Sequence, residues 1–258
     1  MRNLVIFGDS QFAERLYKYI TLEKVDRVVA FTQEKEFISR SEVQGLPVIP
    51  FEKLSSELNL NFEIIIGIGY SGMNRLRANV YDRCVASGHK VATYLSKNAV
   101  TYSEDVAAGC FVCPGAVIGP DVRLGLCNFV ESGAIFSHDN EIGDYNFFST
   151  NTVLGGFAKV RNNCFLGLHS TVRDGITIAD LTLVGAAANV MKSTISEGIY
   201  IGNPALLMKD RKSIDASTPS GAPEASESSS PPRVPPRSLV PAISETCANL
   251  NPILTHET

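Results

Sequence analysis

The sequence of 258 residues predicts an α/β domain, an all-β solenoid after it, and a disordered tail at the end. Three observations support this prediction. Strand-like and helix-like segments alternate through the first hundred residues, apolar residues then recur at every sixth position, and the segment 213–258 is rich in Pro and Ser. A chain of this length has room for two domains that each bury a core.

Composition excludes several classes of protein. Apolar residues make up 44% and charged residues 19% of the chain, as in soluble globular proteins. A net charge of −4 argues against a nucleic-acid partner. No apolar run approaches the roughly 20 residues of a bilayer helix, and no signal peptide precedes the first strand. Six Cys without an export signal indicate reduced thiols, so we expect a cytoplasmic protein without a membrane partner.

The segment 1–100 is predicted to be a small, doubly wound, Rossmann-like α/β domain that binds the substrate. Apolar runs indicate strands, and apolar residues at helical spacing indicate helices between them. The strands are expected at 3–8, 28–31, 62–68 and 90–95, and the helices at 12–20 and 75–87. In such domains ligands bind at the carboxyl ends of the strands.

The segment 101–212 carries a period of six. Every sixth residue from Val106 to Val190 is Val, Ile, Leu or Phe, which gives 15 units. This period is neither helical nor that of a simple strand, and it is typical of a parallel β-helix built from hexapeptide repeats. Three units close a triangular coil of 18 residues, so the repeats predict five coils, stacked at roughly 4.8 Å. Four places after each apolar residue the side chain is usually small and should point inward, as at Cys110 and Ala158.

The segment 213–258, which contains SESSSPPRVPPR, is predicted to be disordered. It cannot bury enough apolar area to offset the entropy lost on ordering. An alternative is that PPRVPP adopts an extended conformation and serves as a ligand for a proline-reading partner.

The hexapeptides that close on IGNPALLMK resemble the left-handed β-helix acyltransferases. With an α/β domain in front, residues 1–212 resemble the sialic acid O-acetyltransferase family, which includes N-acetyltransferases of nucleotide-linked amino sugars. The most specific segments are FSHDNEIGDYNFFST, NTVLGGFAKVRNNCFLG and GIYIGNPA. The resemblance implies a left-handed coil and a homotrimer, with acetyl-CoA bound between neighbouring β-helices.

His138 is the first candidate for catalysis. It lies two places after the inward Phe136, at a polar corner of the coil between Ser137 and Asp139. The resemblance implies that it is the general base, a role that suits an imidazole near neutral pH. Asp139 is expected to orient the ring. Glu131 is a second acidic candidate, where members of the family carry Asn, so which acid supports His138 stays open.

The resemblance also implies the acetyl-CoA site. Gly156 lies one coil after His138, and its N–H would hold the thioester oxygen; alternatively, this corner simply prefers Gly. Backbone groups near Leu168 and Ala186 are expected to contact CoA. Cations gather in the later coils and suit the CoA phosphates, with Arg173 and Lys192 as the main candidates beside Lys159, Arg161, Lys209, Arg211 and Lys212.

The turn after the first strand departs from the family pattern. It keeps Gly8 but no further Gly, and Asp9 would repel a phosphate. We expect substrate contacts from Gly8 and Ser10, and from Gly69 and Ser71 after a later strand. The nucleotide of a nucleotide-linked sugar is left open.

Other reactive side chains are expected to be bystanders. His169 lies at a corner, His89 precedes a strand, and His256 lies in the tail. Cys110 and Cys113 invite a metal site, but the repeat turns the first inward and the second outward, and no second pair follows at zinc spacing. We therefore expect no metal.

These observations predict acetyl-CoA-dependent transfer of an acetyl group to an amino or hydroxyl group of a sugar. The alternative is a non-catalytic trimeric scaffold whose tail recruits partners. Only the enzyme should bind acetyl-CoA and depend on His138.

Overall fold

The computed structural model describes residues 1–216. Except for its first four residues, the predicted tail lies outside this range. The N-terminal part forms a five-stranded sheet of order β3-β4-β2-β1-β5, in which only the β3–β4 pair is antiparallel. Its elements are β1 (Asn3–Phe7), α1 (Gln11–Glu23), β2 (Arg27–Gln33), β3 (Glu42–Val43), β4 (Leu46–Pro50), α2 (Leu54–Glu57), β5 (Glu63–Ile66) and α3 (Arg75–Ala86).

Both faces of this sheet are covered. Leu4 and Ile6 of β1 belong to one apolar cluster with α1, and Val5 belongs to another with Val80 of α3. Successive side chains of a strand point to opposite faces, so a continuous apolar run such as β1 requires a helix on each side.

The segment 90–95 differs from its prediction as a strand of this sheet. It contributes only a bridge between Ile64 and Val91, and β6 (Tyr94–Leu95) pairs instead with Phe111–Val112 of the solenoid. Strands β3 and β4 were not predicted, because Pro47 and Pro50 interrupt their short apolar run.

The solenoid is a parallel β-helix with three faces. We call them the aromatic face, the apolar face and the charged face, after their outward side chains. The aromatic face contains β6, β8 (Phe111–Val112), β11 (Phe129–Val130), β14 (Phe147–Phe148), β17 (Phe165–Leu166) and β20 (Leu183–Val184). The apolar face contains β7 (Val100–Thr101), β9 (Val117–Ile118), β12 (Ile135–Phe136), β15 (Val153–Leu154), β18 (Thr171–Val172) and β21 (Asn189–Val190). The charged face contains β10 (Arg123–Leu124), β13 (Glu141–Ile142), β16 (Lys159–Val160) and β19 (Thr177–Ile178).

The coil of 18 residues is confirmed, since Phe129 pairs with Phe111 on one side and Phe147 on the other. Inward residues from Val112 to Val190 are buried, as are the small side chains at Cys110 and Ala158. The solenoid is longer than the predicted five coils, because β6 and β7 come before the first apolar position of the repeat. Its stacked parallel strands fit the left-handed β-helix that the resemblance implies.

Each corner of the coil has a residue with left-handed backbone. Positive φ angles recur every six residues from Gly109 to Ala187, including Asp139, Phe157 and His169. Only a minority of these positions are Gly, and other residues lose roughly 1–2 kcal/mol in this conformation. The glycine that follows the inward residue has another cause: a Cβ at Gly119 would collide with the carbonyl oxygen of Ser137 in the next coil.

The last coil is shorter than the others. Strand β22 (Gly198–Ile201) pairs Tyr200 with Val184, 16 residues earlier in the chain, and β23 (Leu206–Lys212) folds back antiparallel to it. The change of register after Val190 therefore closes the solenoid.

The α/β domain packs on the aromatic face. Phe111, Phe129, Phe147 and Phe165 stack with centroid separations of 5.1–5.6 Å, and Tyr94 extends the stack. Phe12 of α1 contacts Phe129, while Tyr70 contacts Phe147 and Phe165. This stack of rings, which we call the aromatic ladder, therefore anchors the N-terminal domain to the β-helix.

Candidate active site

His138 lies at the corner between the apolar and charged faces. Its side chain is 48% exposed, and its Nδ1 lies 2.8 Å from Oδ2 of Asp139. The Asp139 backbone is left-handed, with φ +53°. Among the hydrogen bonds within residues 1–216, none involves Nε2 of His138. A neutral ring that donates from Nδ1 to the carboxylate keeps Nε2 as an acceptor, as a general base requires.

The ring of His138 lies directly against Gly156. A Cβ at Gly156 would come within 2.5 Å of both Cε1 and Nε2 of the imidazole. A side chain at this position would therefore displace the ring of His138. Phe157 packs edge-to-face with the imidazole, with ring centroids 5.1 Å apart.

The backbone N–H of Gly156 has no partner among the described residues, and neither do those of Leu168 and Ala186. The third corner of the coil is different. There the N–H groups of Leu126, Asp144 and Asn162 are occupied, because the side chain 18 residues later accepts from each. The corners beside the apolar face thus offer free donors, and the third corner does not.

One chain does not bring all of these donors together. Gly156 shares the corner of His138, whereas Leu168 and Ala186 lie at the corner between the aromatic and apolar faces. The apolar face separates the two corners. A groove with both sets of donors therefore requires two chains.

Two of the predicted phosphate-binding cations lie on the His138 side. Arg173 follows β18, and Lys192 stands three coils after His138, about 14 Å along the solenoid. Both are exposed, and within residues 1–216 neither forms an ion pair. Lys159 and Lys212, by contrast, are paired at 2.9 Å with Glu141 and Glu197.

Glu131 does not support His138 within one chain. It is 7% exposed, accepts a 2.6 Å ion pair from Arg15 of α1, and lies beside the thiol of Cys113. The position follows β11, so the side chain points toward the α/β domain. Asp139 is the acid that the structure places on His138.

The predicted substrate contacts lie where β1 and β5 end. The turns that follow β1 and β5 lie close together. A Cβ at Gly8 would stand only 2.9 Å from the carbonyl oxygen of Gly67. Ser10 caps α1 by accepting from the N–H of Ala13 at 3.5 Å. The carbonyl of Gly69 accepts from Arg77, and Ser71 is exposed.

Asp9 faces the segment after β2. Its carboxylate accepts from the N–H and hydroxyl of Ser39 at 3.2 and 2.8 Å. Arg40 donates to the carbonyl oxygen of Asp9 and to Glu14. These contacts hold the negative charge of Asp9 beside the turn that follows β1.

Within residues 1–216, the remaining histidines and cysteines show no catalytic arrangement. His169 lies 3.2 Å from the amide of Asn151, and burial lowers the pKa of His89, which packs on Phe51. His256 lies outside the described residues. Cys110 points into the coil, and burial raises the pKa of its thiol to about 12. Cys113 lies outside the coil, as predicted, but α1 covers it.

Within residues 1–216, no three His, Cys, Asp or Glu side chains group in a way that could hold a metal ion. No helix in this range has the length and apolarity to cross a bilayer.

Sequence reasoning missed the aromatic ladder and Phe157. The ladder had a visible signal: the residue before the inward position is Phe in every third repeat from Phe111 to Phe165. Phe157 had a weaker one, since a large apolar side chain at a corner departs from the usual small or polar residue.

The chain has relatives of similar sequence among known proteins. The chain matches no protein-family model. It is 33% identical over 123 residues to the putative colanic acid biosynthesis acetyltransferase WcaF of Escherichia coli, covering 43% of this chain and 62% of that protein. It is 27% identical over 129 residues to UDP-3-O-acylglucosamine N-acyltransferase 2 of Sulfurimonas denitrificans, covering 48% and 40%. The chain thus spans about half the length of these two relatives.

Solved structures match over a longer range. A histidine-to-alanine mutant of GDP-perosamine N-acetyltransferase from Caulobacter crescentus, in complex with CoA and GDP-perosamine, has a TM-score of 0.72 and 25% identity, covering 81% of this chain and 98% of that chain. The acetyltransferase domain of PglB from Neisseria gonorrhoeae, in complex with acetyl coenzyme A, has a TM-score of 0.71 and 20% identity, covering 80% and 99%, and shares the fold. The predicted resemblance is therefore confirmed: the chain is similar in sequence to acyltransferases and in fold to sugar N-acetyltransferases built from hexapeptide repeats.

Proposed function

We propose that the protein transfers the acetyl group of acetyl-CoA to an amino or hydroxyl group of a sugar, linked to a nucleotide. The observation that carries the proposal is the position of His138. Its Nδ1 is hydrogen-bonded to Asp139, and its ring lies against Gly156. Neither its Nε2 nor the N–H of Gly156 has a hydrogen-bond partner within residues 1–216. A base and an amide donor thus meet at one corner.

In the proposed reaction, Nε2 of His138 takes the proton of the acceptor as the acceptor attacks the thioester carbonyl carbon. The carbon–sulfur bond then breaks, and the proton passes from the imidazole to the departing thiolate of CoA. Asp139 stabilises the imidazolium between these steps. The N–H of Gly156 stabilises the charge that develops on the carbonyl oxygen.

Acetyl-CoA would lie along the groove beside this corner. The free N–H groups of Leu168 and Ala186 can bind the amide-rich arm of CoA, and Arg173 and Lys192 can bind its phosphates. The solved relative in complex with CoA supports the choice of an acyl-CoA as the co-substrate.

We propose that this groove lies between neighbouring chains of a homotrimer. The outward residues of the apolar face include Val100, Val117, Ile135 and Val153, whereas those of the charged face include Arg123, Glu141 and Lys159. Ile135 is 41% exposed in the single chain. Packing three apolar faces around one axis would bury these side chains and bring the His138 corner of one chain to the Leu168 corner of the next.

Replacement of Ile135 by Glu tests this arrangement. Light scattering should show the loss of the trimer, and acetyl-CoA binding should fall with it. Thr177→Glu on the charged face is the matched control, which should stay trimeric. A trimeric Ile135→Glu variant would contradict this packing.

The N-terminal domain would present the acceptor. Gly8, Ser10, Gly69 and Ser71 lie at the carboxyl ends of β1 and β5, where parallel sheets bind ligands. The solved relative with GDP-perosamine supports a nucleotide-linked sugar. A cytoplasmic location, with reduced thiols, stays a prediction.

Product mass tests the proposal. The protein is incubated with acetyl-CoA and a panel of nucleotide-linked amino and hydroxy sugars, and products are identified by mass. A gain of one acetyl group on one sugar supports the enzyme. No transfer, together with no binding of acetyl-CoA by calorimetry, would favour the alternative of a trimeric scaffold.

A further inference from the structure

Phe157 combines three features that its role as a corner residue does not require. The residue is 56% exposed, its backbone is left-handed with φ +58°, and its only ring partner in the described chain is His138. The same corner has Asp139 one coil earlier and Gly175 one coil later, and both suit left-handed backbone better than Phe. The chain thus maintains an exposed aromatic ring at an unfavourable backbone position.

The contact with His138 is fixed on several sides. The N–H of Phe157 donates to the carbonyl oxygen of His138 at 3.0 Å, so the two residues are held in register. The interplanar angle of 90° and the separation of 5.1 Å are those of an edge-to-face pair. With Asp139 on Nδ1 and Gly156 against Cε1 and Nε2, the Phe157 ring is the third support of the imidazole.

Phe157 also faces a cavity. A pocket of about 610 Å³ opens beside this corner, and its lining includes Tyr102, Asp139 and Phe157. Two of the three groups that support His138 therefore also form the wall of this pocket. A molecule in the pocket would meet the ring that sets the orientation of the base.

On the basis of the proposed function, we propose that Phe157 is a positioning residue: its ring holds the imidazole of His138 over Gly156 in the orientation that accepts the proton. Loss of the ring frees the imidazole to adopt other rotamers, which lowers the fraction of productive complexes. The effect should fall on kcat rather than on KM.

The test compares Phe157→Gly, Phe157→Tyr and Leu181→Gly. Leu181 has the same left-handed backbone, with φ +56°, at another corner, so its replacement relieves similar strain without touching His138. Both Gly variants should unfold at or above the wild-type temperature. Phe157→Gly should lower kcat about three- to tenfold, whereas Phe157→Tyr and Leu181→Gly should stay within about twofold of wild type.

A spectroscopic measurement separates positioning from stability. The Cε1–H resonance of His138, assigned by its absence in His138→Ala, should carry the ring-current shift of Phe157. This resonance should move in Phe157→Gly and stay near its wild-type position in Phe157→Tyr and Leu181→Gly. The measurement does not depend on any substrate.

Three results would overturn the proposal. An unchanged kcat in Phe157→Gly, or an unmoved His138 resonance, would remove the positioning role. A rise in KM alone would make Phe157 only a wall of the pocket. A wild-type protein that acetylates no acceptor would instead refute the proposed function, and with it any role of Phe157 in that reaction; the wild-type result distinguishes this failure from the other three.

Discussion

The guanidinium of Arg77 donates a 3.0 Å hydrogen bond to the carbonyl oxygen of Cys127, and so joins helix α3 to a corner of the β-helix. It also donates to the carbonyls of Gly69, Tyr145 and Asn146. Arg77 is 1% exposed, and this burial lowers its pKa to about 10. This one buried cation thus donates hydrogen bonds to carbonyl groups of the turn after β5 and of two neighbouring coils.

Arg77→Met should destabilise the protein by about 3–5 kcal/mol, because four carbonyl groups would lose a charged donor in a buried place. Urea unfolding followed by circular dichroism measures the change. Arg75→Ala on the exposed side of the same helix is the control and should change stability by less than about 0.5 kcal/mol. Equal stability of the two variants would show that the Arg77 contacts contribute little.

Glu23 should make stability depend on pH. Burial alone would raise the pKa of this carboxyl, but hydrogen bonds from Ser96, Tyr94 and the N–H of Lys97 outweigh it and hold the pKa below its usual value of 4.5. The folded state therefore binds this proton more weakly than the unfolded state. The stabilisation is present above about pH 4.5 and is lost as the pH falls through the lower, folded-state pKa.

Glu23→Gln tests this dependence. At neutral pH the variant should be less stable by about 1–2 kcal/mol, because a charged acceptor is lost. Its stability should fall less than that of the wild type between neutral pH and about pH 3.5. Urea unfolding measures the free energy of unfolding of both proteins at each pH. An equal change of this free energy with pH in the two proteins would contradict the assignment.

The sequence predicted the fold through its periods. Six-residue spacing gave the coil, its inward residues and the corner of His138, because each repeat has the same relation to the core. The six-residue spacing did not predict how the α/β domain contacts the β-helix. Phe12, Tyr70 and Arg77 lie far from the ladder and from Cys127 in the chain, and no local period relates them.

The candidate site was predictable only in part. The spacing of 18 residues placed Gly156 over His138, but the distinction between Asp139 and Glu131 depends on which way each corner points. Glu131 faces α1, whose packing is set by the other domain. The separation of Leu168 from His138 likewise depends on the arrangement of the three faces, which only the structure shows.

Glu131→Gln tests the reassignment of this acid. The loss of the charged pair with Arg15 should lower stability by about 1–3 kcal/mol, while kcat for acetyl transfer should stay within about twofold of wild type. Asp139→Asn should show the opposite pattern, with nearly unchanged stability and a lower kcat. A large loss of kcat in a folded Glu131→Gln variant would show that Glu131 has a role in catalysis.

Gly156→Ala should lower kcat about 100-fold or more, because the added methyl group would displace the imidazole and crowd the oxyanion donor. Gly175→Ala is the control, at the left-handed corner residue of the next coil, 19 residues after Gly156. It introduces strain at φ +68° but meets no atom within 4 Å, so its kcat should stay near wild type. Steady-state kinetics on both variants, with melting temperatures, separates collision from strain; equal kinetic losses in the two would refute a specific role for Gly156.

The central claim is that His138 is the base of an acetyl transfer. The most direct measurement is the rate of acetyl transfer, followed by product mass, for wild type, His138→Ala and the corner control His169→Ala. We expect His138→Ala to lose about 10²–10⁴-fold in kcat while still binding acetyl-CoA, and His169→Ala to retain most of the wild-type rate. A His138→Ala variant with the wild-type rate would contradict the account.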